Sequence, residues 1–374
     1  MQNAKLRVAL VCDWLTGVGG AERVVLELHR LYPDAPIYTS QYNPKKIDWF
    51  ADADVRTGWL QKLPAGLKKF LPILRAWYFS HLDLSGYDLV ISSSGAEAKG
   101  VTTGPRSMHI CYTHAPTHYY WSRYDDYMAR PGFGRLDFLA RLGLKLLVGP
   151  MRRWDRKAAQ APDFIIANSD HTKEQIKKYY GRDAAVIHPP VDIERFKLPT
   201  TNYQLEPRRG FITAGRQTPY KRIDLAVKAC SQLGLPLVVI GSGPDHRRLK
   251  AMAGKSVTFL RGKSDEEVAH YFKTSQAFIF PGLDDFGVVA VEALAAGTPV
   301  IAYQAGGALD YIEPGKNGLF FSEQTVASLT ASLQKFNPDS FNHSAIQKSA
   351  SQFSTQNFHD KMTKFINSHQ TTNT

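Results

Sequence analysis

The chain has 374 residues, too many for one ordinary core and suited to two domains. Hydrophobic content of 43% and charged content of 21% are globular values that exclude a mainly disordered chain. A formal net charge of +12 favours an anionic partner: a phosphorylated small molecule, an acidic membrane surface or nucleic acid.

The first predicted strand is 6-LRVALVCD-13, which begins too early to leave room for a signal peptide. It runs into 13-DWLTGVGGAERVVLELHRLYP-33, where Gly17, Gly19 and Gly20 precede a helix starting near Ala21 with Val24, Val25, Leu28 and Leu31 inward. A glycine loop between strand and helix suits phosphate contact. The spacing is not G-x-G-x-x-G, however, and a tight turn alone also explains it. Next, 62-KLPAGLKKFLPILRAWYFSH-81 carries Lys62, Lys68, Lys69 and Arg75 without an acid, beside a stripe of Leu67, Phe70, Leu71, Leu74, Trp77 and Tyr78. A second basic-aromatic region spans Arg130 to Lys157. Both can rest on anionic lipid or simply cover a sheet with a wet basic face. No run supplies the ~18 apolar residues of a membrane span.

Further strands are expected at 87–94, 108–113, 163–169 and 184–189, rich in Val and Ile and with little polar alternation. Such runs fit a parallel sheet covered on both faces. His114 follows the strand 108–113 in 109-HICYTHAPTHYYW-121, at the end where open α/β sheets gather active-site side chains. A histidine there can share protons with a sugar hydroxyl, although a lone histidine is more often structural and His118 competes for any such role.

The stretch 189-PPVDIERFKLPTTNYQLEPRRG-210 lacks a period and is rich in proline and polar residues. It divides the chain into a domain over 1–195, a linker over 196–209 and a domain over 210–352. The amphipathic helix predicted at 353–369, anchored by Phe353, Phe358, Met362 and Phe365, is free to pack on either. Second-half strands are expected at 210–215, 235–243, 256–260, 276–282 and 298–303. The helix in 220-YKRIDLAVKACSQLG-234 places Ile223, Ala226, Val227 and Cys230 on one face. Cys12, Cys111 and Cys230 lie in or beside apolar runs without metal spacing, and read as reduced thiols of a cytosolic protein.

Two stretches of the second half carry chemistry. In 214-AGRQTPYKRIDLAVKA-229, Arg216 follows a strand end and Lys221 precedes a helix, an arrangement suited to a diphosphate, with two solvated surface cations as the plain alternative. In 284-DDFGVVAVEALAAGTPVIA-302, Gly287 opens a helix whose first N–H groups can bind anions. Glu292, a turn and a half on, can accept hydrogen bonds from a ribose diol, and Asp284 can meet sugar hydroxyls. Taken singly, a helix cap at Asp284 and an ion pair at Glu292 explain them better.

In order and spacing, GGAE (19–22), SSSGAEAKG (92–100), CYTHAP (111–116), IIANS (165–169), GRQTPYKR (215–222), VVIGSGP (238–244), VTFLRGKSDEEV (257–268) and DDFGVVAVEALAAGTPVIA (284–302) resemble glycosyltransferase family 4 over nearly the whole chain. The similarity is greatest to the bacterial mannosyltransferase-like group that builds surface glycans. The resemblance implies the α/β GT-B fold, two Rossmann-like doubly wound domains facing a central cleft. It implies retaining transfer of a hexosyl group from a nucleotide-diphosphate sugar, GDP-mannose favoured, to a glycan or lipid-linked acceptor. It assigns Arg216 and Lys221 to the donor diphosphate, the backbone at Gly287, Val288 and Val289 to the phosphates, and Glu292 to the ribose. Gly241 and Gly262 belong to the nucleotide loops, the latter within Phe259–Ser264, which frames the base. His114 faces the reacting sugar, and Gly19 and Gly20 close over diphosphate and acceptor. Asp284 stands where the family has glutamate, one methylene shorter, a reach reduced by about 1.5 Å; Asp285 is a second candidate.

No cofactor or metal is expected, since Arg216, Lys221 and helix N-termini supply the positive charge. The expected location is cytoplasmic, with attachment to the inner face of the plasma membrane as an open option. Rival readings are a sugar-nucleotide epimerase or phosphorylase on the same architecture, and a catalytically impaired nucleotide-sugar-binding partner. Nucleic-acid binding has no recognition motif behind it.

Overall fold

The computed structural model describes residues 6–63, 72–129, 134, 137–196 and 207–370. The chain forms two compact units, one of residues 1–189 with 358–374 and one of residues 190–357. Each is built on a parallel sheet.

The first unit contains β1 (Val8–Cys12), α1 (Gly20–Leu31), β2 (Ile37–Thr39), β3 (Val55–Thr57), α2 (Pro72–Ser80), β4 (Leu89–Ser94) and β5 (Met108–Thr113). There follow α3 (Tyr124–Ala129), α4 (Asp137–Ala158), β6 (Phe164–Ala167), α5 (Asp170–Tyr180) and β7 (Ala185–Val186). Strand order is β3-β2-β1-β4-β5-β6-β7. The second unit has β8 (Phe211–Ala214), α6 (Ile223–Leu233), β9 (Leu237–Ile240), α7 (His246–Ala251), β10 (Val257–Leu260) and α8 (Asp265–Thr274). It continues with β11 (Ala277–Phe280), α9 (Val288–Ala295), β12 (Val300–Tyr303), β13 (Gly318–Phe321), α10 (Val326–Lys335) and α11 (His343–Ser349). Its order is β10-β9-β8-β11-β12-β13, so the chain reverses direction across the sheet between β8 and β11.

Burial of both sheet faces explains the unalternating strands: every residue of β1, β4, β5 and β11 is buried. The three serines of β4 are tolerated because they find partners. Ser92 Oγ pairs with His109 Nε2 at 2.8 Å, and Ser93 Oγ with His114 Nε2 at 2.8 Å. Helix ends follow local chemistry. Ser169 caps α5 by accepting from Thr172 N–H, and Gly181 ends it in the left-handed region. Ser264 and Glu267 form a reciprocal capping box on α8. The three cysteines are unpaired and buried.

The final helix, α12 (Thr355–Gln370), lays Phe358, Met362 and Ile366 at four-residue spacing into the core of the first unit. Phe353, expected on the same helix, lies before it and packs instead in the second unit against Phe286 and Tyr311, at 5.7 and 6.1 Å between ring centroids. Val191, Ile193 and Phe196 also join the second core, so that unit begins ahead of residue 196.

The stripe expected across residues 67–78 is differently disposed. Leu67, Lys68, Lys69, Phe70 and Leu71 lie outside the described residues, as do Arg130 and Arg135. In α2 itself, Phe79 and Tyr78 are buried whereas Leu74 and Trp77 are exposed. Arg75, expected on a wet basic face, is buried with its Nε 2.7 Å from Glu97 Oε2 and its guanidinium over the Trp14 ring. Glu97 draws it inward, since a buried carboxylate needs a charged donor.

Candidate functional site

In the second unit the sequence-predicted residues collect at the carboxyl ends of adjacent strands. Gly215 and Arg216 follow β8, Gly241 follows β9, Gly262 follows β10, Asp284 to Gly287 lie between β11 and α9, and Val288 and Val289 open α9. The reversal between β8 and β11 splays the loops apart at this edge, the position where open parallel sheets hold ligands.

The loops touch closely. Gly241 has φ 127°, and a Cβ there would sit 2.1 Å from the carbonyl oxygen of Gly215. Gln217, fully buried, ties the same loops: its Nε2 donates to Gly241 O at 3.0 Å and its Oε1 meets His246 Nδ1 at 2.6 Å. Gly287 precedes α9 with φ 90°, where a Cβ would lie 2.5 Å from Phe280 Cζ. Only glycine fits that approach.

Charge is concentrated beside these backbones. Lys221 Nζ donates to Asp284 Oδ2. Asp284 is 8% exposed, and its other oxygen, Oδ1, is buried without a hydrogen-bond partner among the described residues. Arg216 Nη2 donates to Tyr220 Oη at 3.1 Å, and Lys221 Nζ lies 5.6 Å from the centre of the Tyr220 ring. Burial pushes the Tyr220 phenol up, but Lys221 and Arg216 together outweigh it and hold the group below its ordinary value. This pocket of backbone and side chains therefore favours negative charge. Glu292, on α9, does not share that pair: its Oε1 faces Arg195 Nη2 at 3.4 Å, and Arg195 also pairs with Asp265. Val288 and Val289, in the first turn of α9, are half-buried.

In the first unit, His114 sits just past β5. Besides Ser93, it is fixed through its carbonyl, which accepts from Asn168 Nδ2 at 2.9 Å. His118 is held apart from it on Ser122 Oγ at 2.9 Å. Gly19 immediately precedes α1 in extended backbone (φ −165°), and Gly20 is its first residue. A Cβ on Gly17 would meet nothing within 4 Å, and one on Gly19 only the mobile carboxylate of Glu22. Packing thus asks little for glycine in this loop.

Several organising residues were not singled out from the sequence. Asp13 closes β1, and its buried carboxylate accepts from the N–H groups of Gly95 at 2.8 Å, Ala96 at 3.0 Å and Ala98 at 2.7 Å. Beneath that loop, Lys99 Nζ lies 2.7 Å from Asp155 Oδ1, to which Thr117 also donates, while Trp121 and Tyr180 donate to Asp155 Oδ2. A carboxylate ending an apolar run was the available signal for Asp13. Tyr220 and Gln217 lay inside a noted motif but had no pattern of their own.

Comparison with known proteins places both units. Residues 18–195 match the sequence model described as Glycosyltransferase Family 4, and residues 202–353 match Glycosyl transferases group 1. A D-inositol 3-phosphate glycosyltransferase of Streptomyces bingchenggensis is 29% identical over 209 residues, covering 48% of this chain and 46% of the relative. One from Mycobacterium marinum is 28% identical over 200 residues, covering 48% and 43%. The chain thus spans under half the length of these curated relatives. Among solved structures, sucrose-phosphate synthase from Thermosynechococcus elongatus superposes with a TM-score of 0.71 at 17% identity, covering 97% of this chain and 99% of the other. Anabaena Alr3699/HepE in complex with UDP-glucose gives 0.68 at 18% identity, covering 97% and 100%. These neighbours share the two-domain GT-B fold with this chain.

Proposed function

We propose that this chain, whose residues 18–195 and 202–353 match the two glycosyltransferase models, is a family 4 glycosyltransferase that transfers a hexosyl group, mannose by preference, from a nucleotide-diphosphate sugar to a glycan or lipid-linked acceptor. The setting is surface polysaccharide or glycolipid biosynthesis, and the anomeric configuration is retained. The observation that carries the reading is the meeting of Arg216, Lys221 and Asp284 at the strand-order reversal of the second sheet, where the Tyr220 phenol registers a net positive field.

In this reading Arg216, Lys221 and the N-terminus of α9, with the backbone of Gly287, Val288 and Val289, neutralise the charge that builds on the leaving diphosphate. These fixed cations do the work without a metal. Asp284 turns its unpartnered Oδ1 to a hydroxyl of the donor sugar, because a buried acceptor is strongly favoured by a donor. Glu292 exchanges its contact with Arg195 for the two hydroxyls of a ribose. The loops at Gly241 and Gly262 border the nucleotide. In the first unit, His114 shares a proton with a sugar hydroxyl. The loop at Gly19 and Gly20, where a Cβ on Gly19 would meet only the Glu22 side chain, lets the acceptor approach its backbone. The sugar–phosphate bond breaks as the acceptor oxygen attacks the anomeric carbon on the same face. The leaving phosphate takes the acceptor's proton.

GDP-mannose is the first donor to test, and the UDP-glucose held by Alr3699/HepE makes UDP-sugars the second. Thermal melting with GDP-, UDP- and ADP-sugars is expected to show stabilisation by one donor. With that donor, nucleoside diphosphate should appear only when an acceptor is added. Binding without turnover on any acceptor favours the impaired partner, and an isomerised nucleotide sugar favours an epimerase. Absence of stabilisation by every nucleotide sugar overturns the proposal.

A further inference from the structure

Helix α4 carries an outward apolar row that has no counterpart in the core. Its buried residues, Met151, Asp155 and Ala158, all lie in its C-terminal third, and none of residues 137–150 is buried. At about 3.6 residues per turn, the inward face runs back from Met151 and Asp155 through Val148, Leu144 and Ala140, which are half-buried. Phe138, Leu142 and Leu146 fall on the opposite face, at four-residue intervals, and are 63%, 53% and 67% exposed. Leu139 flanks the row and is exposed as well, whereas Leu147, also exposed, lies toward the inward face a turn before Met151. An amphipathic helix covering a sheet points its leucines inward; this one points Leu139, Leu142 and Leu146 away.

Charge follows the same outward face. Arg153, Arg156 and Lys157 continue the line beyond Leu146, and all three are exposed. Arg141 and Lys145 border the leucines. The acids of α4 are Asp137 at its start and Asp155, which is turned inward onto Lys99. Neighbouring α2, joined to α4 where Trp154 Nε1 donates to Ser80 Oγ at 3.1 Å, exposes Ile73, Leu74 and Trp77, and Trp77 stands edge-on to exposed Trp59. An apolar row ending in cations, beside exposed tryptophans, has the chemistry of a bilayer interface: leucines enter the acyl boundary, cations meet phosphate, and indoles lie at headgroup level. Among the described residues no helix is long and apolar enough to cross a membrane.

We infer that the outward face of α4 is a docking surface for a bilayer bearing anionic lipid, with Phe138, Leu142 and Leu146 inserted and Arg153, Arg156 and Lys157 on the headgroups. The inference does not depend on the proposed transfer reaction. It is tested by co-sedimentation of the whole chain with vesicles of phosphatidylglycerol and phosphatidylcholine, against phosphatidylcholine alone. The wild type is expected to pellet with the anionic vesicles and to be released by salt. Leu142→Ser with Leu146→Ser is expected to weaken binding at least about tenfold. Arg153→Gln with Arg156→Gln should weaken it by about fivefold per charge. Unchanged melting temperature in both variants keeps the comparison free of folding effects. Equal recovery in the supernatant with both vesicle types overturns the inference, and so does binding insensitive to the leucines. A wild-type dimer in light scattering that the leucine variant abolishes, without vesicle binding, assigns the face to a second copy of this chain and equally overturns it.

Discussion

Replacing Lys221 by methionine removes the cation from Asp284 while keeping an unbranched side chain one atom shorter. At an effective dielectric near 20, two charges ~4 Å apart attract by about 4 kcal/mol. Stripping one partner from a fully buried pair costs about 3–5 kcal/mol, because the remaining charge is stranded. Here the Lys221 side chain keeps 21% exposure and Asp284 10%, so water reaches the pair and the loss is reduced to about 1–3 kcal/mol. Asp284→Asn added to Lys221→Met removes the stranded charge and should restore most of that stability. The two phenotypes then separate. If Lys221 holds a diphosphate, both variants lacking it lose a charge-assisted hydrogen bond of about 1.5–3 kcal/mol, roughly 10–100-fold in Kd. Asp284→Asn alone is expected to tighten a free nucleoside diphosphate, since it removes a competing carboxylate from Lys221. Urea unfolding supplies the stability cycle, and calorimetric titration with GDP and UDP supplies affinity. If the wild type binds a nucleoside diphosphate and Lys221→Met binds it equally well, the charge-neutralisation argument fails, whatever happens to stability.

Other consequences can be measured separately. Burial pushes His109 down to about 3, well below the usual histidine range, so the unfolded chain binds its proton first as pH falls. Stability should therefore decline from near pH 6.5 toward the folded value, at about 1.4 kcal/mol per pH unit, and His109→Gln should flatten that slope in denaturant titrations. The phenol of Tyr220, held low by Lys221 and Arg216, should ionise before an unperturbed tyrosine in an ultraviolet titration differenced against Tyr220→Phe; Lys221→Met should move it upward. Asp13→Ala takes the carboxylate from the N–H groups of Gly95, Ala96 and Ala98, of which Ala96 keeps Ser94 Oγ at 3.3 Å, and should cost about 2 kcal/mol or more in chemical unfolding. Met362→Ala should cost about 2–5 kcal/mol in the unit that contains residue 8, and hydrogen exchange resolved by segment would show which sheet opens.

All ten strands expected from apolar runs form; the interior ones are apolar because a strand buried on both faces has to be, whereas β7 and β10, at the sheet edges, have no buried residue. The three that escaped notice, β2, β3 and β13, are short or less buried: β3 is Val55–Thr57 with no buried residue, and its pattern is too brief to show a period. Helix faces were legible where the helix covers a sheet, as with Ile223, Ala226, Val227 and Cys230 of α6. They were misread in α2, where a buried Glu97 from another segment holds Arg75 inward and Leu74 and Trp77 of the expected stripe face outward. At the site, the residue types and their strand-end positions were readable, since each motif follows a recognisable strand. Pairings were not. That Lys221 takes Asp284 and Arg195 takes Glu292 depends on contacts across 63 and 97 residues, which no local pattern encodes. Gln217 escaped for the same reason, as a neutral side chain whose importance lies in reaching the loop at Gly241.

The return of α12 onto the first sheet has a consequence for biosynthesis. A ribosome delivers β1 to β7 early, yet Phe358, Met362 and Ile366 emerge only after the whole of the second unit has been made. During that interval the nascent first half must carry an unsealed greasy trough, a stretch of translation in which chaperones have something to hold. The half that is made first is finished last.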